Sequence, residues 1–428
     1  MGKKITYQAP GSLLNYMLNI GMTGKSSMGI VSRIKNYPKI GLVILAYIAF
    51  IALGMPDGLL GVAWPSIRHN FSIPLDALGV LMFTSMAGYM TSSFLSGVLI
   101  SRLGVGRVLA GSCAMTGVVL ISYTLVPSWW MMVLLGVVAG LGAGAIDAGL
   151  NTYVAAHFGE GVMQWLHACY GVGVTLGPII MTFALTQLNS WRLGYITVGV
   201  FQLVLAVCFA LTLPMWDQKN GAAAADEPKR LTDYRTPLGE TLRQPRVWLS
   251  ALLFYGYVGG EAALGAWTYT LLTESRGIAP EAAGLWAGSY WATFTVGRVV
   301  AGLFAKRVGV DALMQGSLLG AILGALLLWW NPTEVANLAA VALIGFSIAP
   351  IFPALMSGTS QRVGAHYAAN TIGLQMVATG LGSASISALM GVLARRISLE
   401  VIPVCMAGLF LVVLGLYRMA MRSSDIHP

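Results

Sequence analysis

Gly97-Val98-Leu99-Ile100-Ser101-Arg102-Leu103-Gly104 has a counterpart 205 residues later in Gly302-Leu303-Phe304-Ala305-Lys306-Arg307-Val308-Gly309. Each stretch ends an apolar run, passes through a basic turn and reaches a glycine before the next apolar run begins. Asp57-Gly58-Leu59-Leu60-Gly61 likewise parallels Glu261-Ala262-Ala263-Leu264-Gly265 at an offset of 204. Two independent matches at nearly one spacing predict a chain of two parallel, structurally similar halves.

The runs between these landmarks say what solvates the halves. Of 428 residues, 57% are hydrophobic and 10% charged, against roughly 45–50% and 25% in soluble domains. That much apolar surface has no place in a soluble core of this size; lipid accommodates it. A span needs about 20 mostly apolar residues, and twelve stretches qualify: 39–67, 75–101, 107–126, 129–157, 163–187, 191–213, 246–272, 281–305, 311–330, 334–358, 366–394 and 400–420. Pro127-Ser128 and Asn331-Pro332 are turn signals between spans. The expectation is an all-α membrane protein with twelve transmembrane helices in two six-helix, pseudo-symmetric bundles, 39–213 and 246–420. A linker at 214–245 joins them, holding Gly221–Ala225, clustered charges and two prolines. Residues 1–38 are expected as a cytosolic extension, since Leu13–Ile20 is too short to span and no signal-peptide pattern is present. That stretch can alternatively lie as a helix on the membrane surface. Residues 421–428 form a cytosolic tail.

Charge sets the orientation. Nineteen of the 25 Lys and Arg residues fall on the side of the two termini and five on the other, with Arg298 inside a span. Cytoplasmic loops carry the basic excess, so both termini are expected in the cytoplasm and the protein in the cell inner membrane. The net charge of +9 is spread over short loops rather than gathered in a stripe, which argues against a nucleic-acid partner. Cys113, Cys169, Cys208 and Cys405 lie within apolar runs with no metal-ligand spacing. Without a nucleophile, metal-ligand or phosphate-loop motif, neither an enzyme nor a cofactor is expected, and no metal site. The partners expected are a small-molecule substrate and the lipid bilayer, with the chain as a monomer.

Of the sixteen acidic residues, only Asp57, Asp147 and Glu261 fall deep within spans. A charge there costs roughly 2.5–3.5 kcal/mol on insertion scales, and such residues are functional by default. A carboxyl at that depth can take up and release a proton in a transport cycle; the structural alternative is a carboxylate paired to another helix. Asp57 follows Pro56, which predicts a kink. Asp147 lies in the small-residue run Gly140-Leu141-Gly142-Ala143-Gly144-Ala145-Ile146-Asp147-Ala148-Gly149-Leu150-Asn151, where helices approach closely. Asn151, four residues on, shares its face. At the 205 offset Asp147 meets Phe352, so the symmetry is broken at that carboxyl. Gln164, His167 and Tyr170 line one face of the fifth span, and Tyr255, Tyr257, Glu261 and Trp267 populate the seventh. Asn370 and Gln375 are the polar candidates of the eleventh. Aromatics beside carboxylates and amides suit a sugar, with its apolar ring face and crown of hydroxyls. Trp129, Trp130, Trp329 and Trp330 read as interfacial anchors. Arg298 either snorkels, pairs with a carboxylate, or faces a cavity, where it would favour an anionic substrate.

With these residues in place, the chain resembles the major facilitator superfamily over nearly its whole length. Gly97, Arg102, Gly104 and Arg107 match that superfamily's loop signature, with Ser101 in place of the usual acidic residue. More narrowly it resembles the fucose:proton symporter family and its glucose/galactose-transporting relatives. Asp57 matches the carboxyl of the first span, Asp147 and Asn151 the pair of the fourth, and Tyr257-Val258-Gly259-Gly260-Glu261 a motif of the seventh. His167 stands where that family commonly has Gln. The resemblance implies a substrate and proton role for Asp57 and Asp147, and proton-coupled symport of a small polar solute, above all a monosaccharide, by alternating access. Glu261 is a third candidate for proton coupling. Asn151, Gln164, His167, Tyr170, Tyr257, Trp267 and Gln375 are candidates for substrate binding. Sodium is an alternative coupling ion, because carboxylates bind either. Proton-antiport export of a drug, siderophore or metabolite is the alternative function.

Overall fold

The structure, a computed structural model, describes residues 30–158, 160–216 and 236–424. It is built from twelve long helices: α1 (Ile30–Phe71), α2 (Leu78–Leu103), α3 (Val105–Ser122), α4 (Trp129–His157), α5 (Glu160–Gln187), α6 (Trp191–Leu211), α7 (Pro245–Thr270), α8 (Pro280–Val308), α9 (Val310–Trp330), α10 (Glu334–Ile348), α11 (Ala365–Arg396) and α12 (Val401–Ser424). Among the described residues, eleven helices are long and apolar enough to cross a membrane. The helix outside that set is α8, which carries Arg298 together with Ser289, Thr293 and Thr295.

Two elements depart from the sequence reading. α1 starts at Ile30, so part of the expected extension is helical and continuous with the first span; Leu13–Ile20 lies outside the described residues. The tenth span is broken. α10 stops at Ile348 and a second piece runs Ile351–Ser357, because Pro350 has no amide to continue the hydrogen-bond ladder. Of the expected linker, 217–235 lies outside the described residues.

The repeat seen in the sequence is a repeat in space. Within the first half α1 packs on α5, α2 on α4, and α3 on α4 and α6. Adding six to each number gives the second half: α7 on α11, α8 on α10, and α9 on α10 and α12. Gly104 and Gly309 close the two copies of the quoted loop with φ of 82° and 83° and ψ of 155° and 146°. That extended conformation at positive φ is open essentially to glycine alone, which is why both copies end on it.

The halves meet along three helix pairs, α1–α7, α2–α11 and α5–α8. At the side away from the termini this seam is tight. A Cβ on Gly61 would run into the Gly265 carbonyl at 2.5 Å, and one on Gly79 into Ala388. Two ion pairs cross it: Arg68 at the end of α1 with Glu274 beyond α7, and Arg395 at the end of α11 with Asp76 before α2, the latter at 3.1 Å. Arg68 and Glu274 are 206 residues apart, nearly the repeat offset, so this latch joins near-equivalent ends of the two halves. Toward the terminus side, Gly97 of α2 and Gly373 of α11 have open space where a Cβ would stand. The close contacts and ion pairs that cross the seam thus lie on the side away from the termini.

Reversing one charge tests the latch. Arg68→Glu should raise labelling of an Ala388→Cys variant by an impermeant maleimide about three- to tenfold, and adding Glu274→Arg should restore protection.

Candidate functional site

α1 runs unbroken through Pro56 rather than ending there. Proline supplies no amide, so the carbonyl four residues back, Ala52, loses its helical donor. Gln202 of α6, 1% exposed, replaces that donor with its Nε2 at 2.9 Å. Glycines then bring α5 against this stretch: a Cβ on Gly54 would strike the Tyr170 carbonyl and one on Gly58 the Val174 carbonyl. The result is that Tyr170 donates its hydroxyl to Asp57 Oδ2 at 2.6 Å. Asp57 itself is exposed, although it stands mid-helix with α5 and α7 packed on α1. Its exposure at mid-helix, beside the seam between the halves, makes it a candidate to line a cleft there.

Asp147 is positioned by the small-residue run of α4. A Cβ on Gly140 would meet the Ser85 carbonyl, and one on Gly144 the Tyr89 carbonyl, so α2 and α4 touch at a range that larger residues forbid. This approach sets the Tyr89 hydroxyl on Asp147 Oδ2. From one turn on, Asn151 Nδ2 donates to Oδ1 at 2.9 Å and to the Asp147 carbonyl at 3.0 Å.

Glu261 in the second half follows the same pattern. Tyr257, one turn earlier, donates to its Oε2, with the Ile348 carbonyl 3.2 Å from the same hydroxyl. Tyr290 of α8 donates to the Glu261 backbone carbonyl at 2.9 Å. Each intramembrane carboxyl therefore accepts from a tyrosine hydroxyl, which holds it in place without adding a second full charge.

The three carboxyls belong to one electrostatic cluster. Asp147 bears electrostatically on Asp57 and on His167, and Arg298 bears on His167 and on Glu261. That chain of influence crosses from one half to the other. His167 is exposed, with its ring edge-on to Phe50 at 5.7 Å.

Two expected substrate contacts are turned away from this cleft. Trp267 is fully buried and its indole donates to the Ser387 carbonyl at 2.9 Å; it packs α7 onto α11. Gln375 is fully buried too. Its Nε2 donates to Ser250 at 2.7 Å and Thr359 at 3.1 Å, beside the buried Arg362, so its polar atoms are spent within the second half. Tyr257 is buried but reaches Glu261, as above. The Gln164 side chain lies outside the described residues. Tyr89 was missed, although Tyr89, Thr91, Ser92 and Ser93 form a polar run in an otherwise apolar span, a signal of a lined cavity.

The profile described as Major Facilitator Superfamily matches residues 46–387. Bypass of stop codon protein 6 of Saccharomyces cerevisiae is 23% identical, over 86% of this chain and 80% of its own length. The glucose/mannose transporter GlcP of Bacillus subtilis is 22% identical, over 82% and 87%. The human sodium-dependent glucose transporter 1 is 24% identical, over 81% and 72%. The fold is similar to a bacterial homologue of the human lysosomal transporter Spinster in an inward-facing, occupied conformation. There the TM-score is 0.70 at 15% identity, covering 90% of this chain and 97% of that one.

Removing one hydroxyl tests the positioning. Tyr89→Phe should lower transport about tenfold, the scale of one charge-assisted hydrogen bond, while the purified protein keeps its helical circular-dichroism spectrum.

Proposed function

This chain belongs to the Major Facilitator Superfamily, and from that premise we propose that it is a proton-coupled symporter of a small polar solute, a monosaccharide. It is a membrane-embedded transporter, not an enzyme. The observation that carries the reading is that two mid-span carboxyls of the first half are each held by a tyrosine hydroxyl, Asp57 by Tyr170 and Asp147 by Tyr89 with Asn151 beside it; in this reading both face one cleft between the halves. Carboxyls that are wet on one side and held by hydroxyls on the other can change protonation without unfolding their surroundings. A cleft rich in hydroxyl and amide groups also suits a sugar better than an apolar drug. The names of GlcP and of the human relative point to hexoses, and the likeness to fucose:proton symporters supports Asp57 and Asp147 as the coupling pair.

In this mechanism the seam opens toward the cytoplasm on the side of the termini, the latch of Arg68–Glu274 and Asp76–Arg395 closes the outside, and both termini are cytoplasmic in an inner membrane. Protonation of Asp147, assisted by Asp57, neutralises the cleft and favours substrate in the outward-open state. Rocking of the halves carries both inward, where release and deprotonation reset the cycle. Glu261 is the third titratable group of the cleft.

Proteoliposomes loaded against a pH gradient or, separately, a sodium gradient test this with a panel of hexoses. The native protein should accumulate a hexose on the pH gradient. Asp147→Asn should lose accumulation yet retain counterflow exchange; unchanged accumulation by that variant removes Asp147 from the mechanism, and accumulation driven by sodium alone replaces the ion.

A further inference from the structure

Arg298 is the strong donor of the cleft that the mechanism above leaves unused. Thr295, one turn before it on α8, is the group that a Cβ on Gly171 of α5 would strike, so this face of α8 fronts α5 across the seam. One turn toward the terminus side, the same faces carry Arg298 and His167, from opposite halves. The electrostatic influence of Arg298 on His167 agrees with that register.

The neighbouring carboxyls are held by other donors rather than by Arg298. Asp57, Asp147 and Glu261 each accept from their own tyrosine. Among the described residues no carboxylate lies within ion-pair distance of Arg298. Its guanidinium instead sits over the Phe294 ring at 4.3 Å, and its Nε is buried with no hydrogen-bond partner. A cation at membrane depth, stacked on an aromatic and short of acceptors, is arranged to receive an anion from outside the protein. A guanidinium also matches a carboxylate in a planar, two-point fashion that an ammonium does not.

We propose that Arg298, with His167 opposite it, binds a carboxylate on the transported solute, so that the substrate class is an acidic monosaccharide such as a uronic acid rather than a neutral hexose. This rests on the monosaccharide reading of the same cleft. Once Asp147, Asp57 and Glu261 are protonated, the positive charge of Arg298 is balanced by the incoming carboxylate, and the loaded cleft crosses the membrane with little net charge.

The experiment is titration of purified full-length protein with D-glucuronate and with D-glucose, for the native chain, Arg298→Gln and Arg298→Lys. The native protein should prefer glucuronate by about tenfold or more. Arg298→Gln should bring that preference to about unity, and Arg298→Lys should keep part of it. Glucose binding without a glucuronate preference overturns the inference and leaves the monosaccharide reading standing, as does a preference that survives Arg298→Gln. Binding of neither compound sinks the monosaccharide reading and this inference with it. If Arg298→Gln does not fold, the native ratio and its reduction in Arg298→Lys decide the matter.

Discussion

A carboxyl group taken out of bulk water must find donors in the protein or lose its charge, and either outcome constrains everything around it. In this molecule the donor common to all three is a tyrosine hydroxyl, joined at Asp147 by the Asn151 amide. Asp57 takes Tyr170, Asp147 takes Tyr89 and Glu261 takes Tyr257. A full cationic partner would hold each carboxylate permanently ionised; a hydroxyl supports it while leaving protonation open. The packing of the bundle follows from this need. Glycines at 54, 58, 140 and 144 let helix backbones touch where the tyrosines must reach, and Gln202 repairs the carbonyl that Pro56 leaves bare beside Asp57.

The division of labour along the seam has the same logic. On the side away from the termini, the halves are joined by close glycine contacts and by ion pairs in partial contact with water, where such pairs are individually weak. Weak, reversible fastenings suit a seam that must open. Within the second half, by contrast, Arg276 ties α9 and α10 to the turn before α12, bonding the Leu328 carbonyl at 2.7 Å, Asn337, and Glu400 at 2.6 Å. Burial would raise the Glu400 carboxyl, but hydrogen bonds from Arg276 and Ser275 outweigh it and hold that group below its ordinary range. Its contribution is thus present at neutral pH and fades only as pH falls through the acid range. A half braced internally by a buried guanidinium, and a seam fastened by partly exposed ion pairs, are what the proposed rocking motion would need.

Much of this was legible before any coordinates. The loops ending at Gly104 and Gly309 announced two halves, because their backbone conformation admits little else, and membrane depth singled out Asp57, Asp147 and Glu261. Asn151 was found because helical spacing is local. The tyrosine partners were not, since Tyr89 and Tyr170 lie 58 and 113 residues from the carboxyls they serve and only packing brings them near. Trp267 and Gln375 misled for the converse reason: polarity within a span shows that a group needs a partner, not whether that partner is a substrate or a neighbouring helix. The break after α10 was written in Pro350, but hydropathy reads through a proline.

The central claim is that three carboxyls from both halves share one wet chamber opening toward the termini. Its most direct test is labelling of Asp57→Cys, Asp147→Cys and Glu261→Cys, each in a background with the four native cysteines replaced, by a membrane-impermeant thiol reagent in sided vesicles. The account predicts that all three react from the terminus side when the seam is as described. Labelling confined to lipid-soluble reagents, or reaction at one position with the other two silent, would contradict it.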